Sequence, residues 1–225
     1  FDMVVCAAAP GQKWLANREP DADRRRIEQL MRSLQSFRCD TFVLISTVDV
    51  FRQPLGVTEE SAVELQGLQP YGLHRYELEQ FARSQFARCH VVRLPGLVGP
   101  GLRKNVIYDL HHRNNLDAID SRGIFQFYPT VNLWFDIQHA VRHQLALVHL
   151  CAEPIQVSEV AELGFGIALD QPRDGPAPRY DMQSRHAALF GASGPYQTSR
   201  RETLQAIRAY AQTEPVLQSR PGAAG

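Results

Sequence analysis

The sequence predicts an α/β protein built on a parallel sheet with helices on its faces. Three observations carry this. Short apolar, branched runs occur at 2–8, 41–46 and 89–94, of strand length and without a helical period. Amphipathic stretches of helical length, Asp21–Phe37 and Tyr71–Arg88, lie between them. The first 95 residues therefore alternate strand, helix, strand, helix, strand, the order of βαβ units, whose crossovers require parallel pairing.

The elements follow in order. Residues 2–8 form the first apolar run, and Ala8-Ala-Pro-Gly11 is a turn. In the next stretch Ile27, Leu30, Met31 and Leu34 share one face, with Asp21 or Asp23 as N-cap and Arg24–Arg26 as a solvated face. Thr41–Ser46 is a buried strand, and Pro54–Pro70 a polar connection with a proline at each end. Tyr71–Arg88 turns Leu78, Phe81 and Phe86 inward, and Cys89–Leu94 is a third strand, stopped by Pro95-Gly96. Beyond it the pattern loosens. Asn105–His112 suggests a short helix, Ile124–Phe135 an aromatic stretch broken by Pro129, Asp136–Leu147 a helix and Val157–Leu163 a short one. Asp170–Pro178 reads as a loop, Ser199–Thr213 as a final helix and Gln218–Gly225 as a disordered tail.

Composition excludes several classes. Hydrophobic residues are 44% and charged residues 21%, ordinary for a globular chain. Lys plus Arg and Asp plus Glu are 24 each, so no basic excess points to nucleic acid. No apolar run approaches the roughly 20 residues of a membrane span. The four cysteines, Cys6, Cys39, Cys89 and Cys151, have no CxxC or zinc spacing; reduced thiols and a cytoplasmic location are the expectation. The chain opens on Phe1-Asp2 directly in an apolar run, as expected of a fragment or a truncated relative.

Three segments hold the chemistry: Ser46-Thr47…Val50-Phe51 at a strand end, Tyr71…Arg75…Glu79 opening a helix, and Arg93…Pro95…Gly99-Pro100-Gly101 closing the next strand. In open parallel sheets ligands bind beyond the carboxyl ends of strands. Tyr71 and Arg75 are four apart and share a helix face. Set in this order, over about 100 residues, the motifs resemble the extended short-chain dehydrogenase/reductases, the NAD-dependent nucleotide-sugar epimerases, dehydratases and reductases. The family's Tyr-x-x-x-Lys reads here with Arg75 in place of Lys, and its Gly-rich pyrophosphate turn is absent from this chain.

The resemblance implies the C-terminal portion of a Rossmann-like doubly wound sheet over 1–100. It also implies a small α-rich substrate lobe over 101–217, with a segment around Leu133–Leu150 returning to the main domain; Trp134-Phe-Asp-Ile137 resembles the family's late strand-Asp-helix step. It implies NAD or NADP as cofactor and a nucleotide-linked sugar or similar hydroxy/keto compound as substrate, with a homodimer possible. Tyr71 would be the acid/base, Arg75 its cation and a ribose ligand, and Thr47 the partner of the reacting oxygen. Ala7, Ala8, Ser46, Pro95, Gly96, Leu97 and Val98 would border the cofactor. A free Tyr titrates near pH 10, so a cation beside it is what would make it a base near neutrality. The alternative is a non-catalytic relative that binds a ligand or protein partner through the same cleft.

The bland expectations stand beside these. Asp49 reads as a solvated turn residue, His74 as an exposed helix histidine, His111-His112 as no metal site, and Trp134 with the aromatics of 125–135 as core.

Overall fold

The structure, a computed structural model, describes residues 1–216; the expected tail over 218–225 lies outside them. A four-stranded parallel sheet forms the centre, in the order β1 (Met3–Cys6), β2 (Thr41–Thr47), β4 (Cys89–Leu94), β8 (Leu147–His149). Each added strand lies beside the last, and a helix makes each crossover: α2 (Pro20–Leu34), α3 (Pro70–Gln85) and α5 (Thr130–Arg142).

Helices cover both faces, as a parallel sheet requires. On one side Ile27 and Leu34 of α2 and Leu78 and Ala82 of α3 meet Phe42, Leu44 and Val91 of the sheet. Phe42 stacks on Phe86 with ring centroids 3.9 Å apart. On the other, Ile137 and Ala140 of α5 pack on Val43, Val92 and Val148. The β2 and β4 residues Phe42–Leu44, Val91 and Val92 are essentially inaccessible, which is why these strands read as unbroken apolar runs rather than alternating ones. β1 is the other kind of strand: it pairs with β2 alone, and Val5 is exposed.

The remainder packs around a second core of Val98, Ile107, Phe127, Ile155 and Ile207. It includes the two-residue to three-residue pairs β5 (Gly96–Val98) with β7 (Phe127–Pro129) and β6 (Ile124–Phe125) with β9 (Ile155–Gln156), and the helices α4 (Val106–His112), α6 (Val157–Glu159) and α7 (Arg200–Thr213). Helix α7 starts on a capping box, Ser199 with Glu202. Strand β10 (Asp181–Met182) runs back to pair with β3 (Leu55–Val57). It thereby brings Tyr180 to the carboxyl end of the central sheet. No helix among the described residues is long and apolar enough to cross a membrane.

Several expectations shift. A six-residue helix α1 (Lys13–Arg18) fills the stretch after the first turn. The helix expected over Asp136–Leu147 begins six residues earlier, at Thr130, because Pro129 supplies a helix start rather than a break; Leu147 belongs to β8. Trp134 and Phe135, expected in the core, lie on the outer side of α5 at 53% and 62% exposure, whereas Phe127 and Tyr128 are buried.

Candidate active site

The parallel register aligns the strand ends. Thr47 pairs with Leu94, and Cys6 with Leu44, so Ala7–Ala9, Thr47 and Pro95 all emerge at one edge of the sheet. Beyond β2 the chain makes a single 3₁₀ turn, Val48–Val50, whose first free N–H, from Asp49, is capped by the Thr47 hydroxyl at 3.2 Å. Helix α3 starts directly against that turn. A Cβ on Gly72 would stand 1.9 Å from the Asp49 carbonyl oxygen, so only glycine lets the two backbones approach this closely. The Tyr71 amide donates to the Asn17 side chain of α1 at 3.0 Å, and the Thr47 side chain is among the groups that favour the ionised form of the Tyr71 phenol.

Of the residues singled out as catalytic, Tyr71 and Thr47 are brought together, and Arg75 sits 4.0 Å over the Tyr71 ring. What Arg75 does there differs from expectation. Its guanidinium is buried and forms a fork on the Asp23 carboxylate, one arm at 2.9 Å, while its outer nitrogen also donates to the Pro10 carbonyl. Both terminal nitrogens are thus engaged, and the donor without a partner is Nε. His74, expected on the surface, is 3% exposed and bonds the same carboxylate at 2.7 Å. Burial opposes ionisation of Asp23, but the bonds from Arg75 and His74 outweigh it and hold the carboxyl below its ordinary range. Burial pushes the Tyr71 phenol above its ordinary value, against the pull of Arg75.

The predicted cofactor-bordering residues divide. Ala7 and Ala8 are exposed at the end of β1, and Pro95, Gly96 and Leu97 are half-buried at the end of β4. Val98 is buried in the second core. Ser46 points inward and donates to Glu79, which is itself held by Arg93 through Nε at 3.0 Å and Nη2 at 2.7 Å. These three residues form a buried polar strut between β2, α3 and β4.

Sequence reasoning missed Lys13 and Tyr180. Lys13 Nζ lies 2.6 Å from Asp49 Oδ1 and 2.9 Å from the Tyr180 hydroxyl, which donates to Asp49 Oδ1 at 3.0 Å. Asp49, expected to be solvated, is therefore paired, with 18% of its side chain exposed. Burial disfavours the Lys13 cation, but Asp49 and Tyr180 more than compensate and raise its pKa; burial chiefly raises that of Tyr180. Tyr180 is 167 residues from Lys13, and no local pattern signals the meeting. Two cavities share the Tyr180 ring: a small one of about 50 Å³ between Lys13, Asp49 and Gly72, and a larger one of about 400 Å³ flanked by Arg179, Arg200, Glu159 and Gln156. Among the described residues no group of His, Cys, Asp and Glu is placed to hold a metal.

A site of this kind presents a phenol beside a hydroxyl at the rim of a parallel sheet. That arrangement can exchange a proton with an oxygen seated between them. Both arms of the Arg75 fork are already occupied by Asp23 and Pro10.

No protein-family model and no curated protein sequence matches the chain. Solved structures do. WbmG of Bordetella bronchiseptica, solved with NAD, superposes with a TM-score of 0.74 at 14% identity, covering 96% of this chain and 73% of that one. RMD from Pseudomonas aeruginosa, complexed with NADPH, gives 0.70 at 21% identity, covering 95% and 82%. TunA, described as an NAD-dependent NDP-hexosamine 5,6-dehydratase, gives 0.72 at 18% identity, covering 96% and 78%. The fold of this chain is that of these proteins.

Proposed function

We propose, from a fold shared with extended short-chain dehydrogenase/reductases, that this chain is an NAD(P)-dependent oxidoreductase, epimerase or dehydratase. Its substrate would be a nucleotide sugar or a similar hydroxy/keto compound. The supporting observation is the placement of Thr47 and of the start of α3, which carries Tyr71 and packs directly on the turn after Thr47, at the carboxyl ends of the parallel strands, where open sheets take their ligands. The cofactor supplies the hydride acceptor or donor. Tyr71 gives or takes the proton of the substrate oxygen, Thr47 orients that oxygen, and Pro95–Leu97 border the nicotinamide. The roughly 400 Å³ cavity, lined by Arg179, Asp181 and the Arg200–Glu159 ion pair, offers room for part of the substrate. Residues 1–100 serve as the cofactor domain and 101–217 as the substrate lobe.

A second reading is supported by the occupied fork of Arg75: a relative that binds its ligand in the same cleft without turnover. Titration of NADH and NADPH by nicotinamide fluorescence, in the wild type and Tyr71→Phe, separates the two. Binding of a reduced cofactor by both proteins, with turnover only in the wild type, is expected. No binding of either cofactor overturns the oxidoreductase reading. Turnover that survives in Tyr71→Phe overturns Tyr71 as the acid/base.

A further inference from the structure

The segment between β5 and α4 ends in a strained residue. Asn105 adopts φ 95°, ψ 174°, a region open in practice only to glycine. Its side chain secures it on both sides: Oδ1 accepts from the Ile107 and Tyr108 amides at 2.9 and 3.3 Å, and Nδ2 donates to the Leu97 carbonyl at 2.8 Å. Strain of this kind persists where surrounding contacts over-determine it. What these contacts fix is the direction in which the preceding residue, Lys104, leaves the loop. Lys104 crosses to the turn after β1: a Cβ on Gly11 would stand 2.6 Å from its Nζ. Among the described residues this ammonium has no hydrogen-bond or ion-pair partner. Burial and the Arg75 charge hold its pKa below the ordinary value, and Asp49, which pulls the other way, is already paired with Lys13 and Tyr180. A second cationic donor faces the same turn. Arg75 Nη2 donates to the Pro10 carbonyl. Nε lies on the same edge of the planar guanidinium; it is buried and has no partner. A buried donor left unmet costs free energy until an acceptor reaches it.

We propose that Lys104 and the Nε edge of Arg75 form a binding site for a phosphate group over the Pro10–Gly11 turn, at the carboxyl end of β1. The two donors come from separate elements, the loop after β5 and helix α3. A carboxylate holds its two oxygens in one plane, whereas a phosphoryl group spreads three around its centre and can meet a point charge and a directed N–H together. The source of the phosphate rests on the reading of the chain as a nucleotide-binding oxidoreductase: it belongs to the diphosphate of the dinucleotide or to that of a nucleotide-linked substrate.

The test begins with inorganic pyrophosphate, titrated calorimetrically into the wild type, Lys104→Met, Lys104→Arg and Gly11→Ala. Millimolar or tighter binding to the wild type is expected. Lys104→Met should weaken it about tenfold or more, the worth of one charge-assisted hydrogen bond, and Lys104→Arg should keep most of it. Gly11→Ala should weaken it too, because the new methyl displaces Lys104 Nζ, and should add nothing in the Lys104→Met background. Lys104 is exposed, so its variants should melt with the wild type. No binding to the wild type, or equal binding to Lys104→Met, overturns the proposal. Competition then assigns the source: NADH displacing pyrophosphate marks the cofactor's phosphate, and UDP displacing it marks the substrate's. Displacement by neither overturns the assignment to a nucleotide ligand. Lys104-dependent pyrophosphate binding in a protein that binds neither NADH nor NADPH overturns the oxidoreductase reading alone.

Discussion

Replacing Glu79 by alanine tests how the site is held in register. Glu79 is fully buried, its carboxylate receives both arms of Arg93 at 3.0 and 2.7 Å, and it accepts from Ser46. Arg93 is 3% exposed and lies 5.0 Å over the Phe51 ring, so it cannot turn to water without disrupting the packing. Removing the carboxylate leaves a buried cation unpaired, which costs about 3–5 kcal/mol. In a domain of this size each kcal/mol lowers Tm by about 2–4 °C, so Glu79→Ala should melt roughly 6–20 °C below the wild type. The double variant Glu79→Met/Arg93→Met removes both charges and keeps apolar volume. It should recover most of the loss, because a buried pair gains little over well-packed apolar side chains. Urea denaturation followed by far-ultraviolet circular dichroism gives the free energies, and Tm from the same signal is the cross-check. A single variant within about 1 kcal/mol of wild type, or a double variant as unstable as the single, would refute the assignment of Glu79 as the counter-charge of a buried strut.

Two further outcomes follow from neighbouring geometry. Gly72→Ala places a Cβ 1.9 Å from the Asp49 carbonyl; α3 or the 48–50 turn must shift, with a loss of about 1–3 kcal/mol typical of overpacking, read as a lower urea midpoint. Asp23 has a folded pKa below its unfolded value of about 3.9. Its contribution is therefore complete above that value and is lost as pH falls from about 4 through the folded pKa. The urea midpoint of the wild type should drop over that acid window, and Asp23→Asn should show a shallower drop from a lower neutral-pH stability.

The sheet was legible because its strands are buried on both faces: Phe42–Leu44 and Val91–Val92 have to be apolar without interruption, and Ile27, Leu30 and Leu34 have to repeat at helical spacing to cover them. The convergence of Thr47 with the start of α3 at Tyr71 was legible for a related reason, since strand ends and the start of the following helix converge in any βαβ unit. What escaped was set by tertiary contacts. Asp49 and His74 carry no local mark of burial; their partners Lys13, Tyr180 and Asp23 lie 36, 131 and 51 residues away. The exposure of Trp134 and Phe135 escapes a reading of the 125–135 aromatics as one unit. The observed change from strand to helix at Pro129–Thr130 changes the period, and the same apolar composition then faces two ways.

The exchange of Lys for Arg at position 75 is better understood with Asp23 than alone. An ammonium is a compact charge on a flexible stem, whereas a guanidinium offers a rigid fork that a carboxylate satisfies. Asp23 lies one helix away and takes that fork, and His74 completes the cluster from the next position on α3. A buried Arg75 without Asp23 would be an unpaired charge beneath the candidate acid/base; with Asp23 it is a brace that ties α2, α3 and the turn at Pro10 under Tyr71. The position has thereby moved from chemistry toward support. Its charge still favours the Tyr71 phenolate from 4.0 Å over the ring, while both of its terminal nitrogens are committed to Asp23 and Pro10.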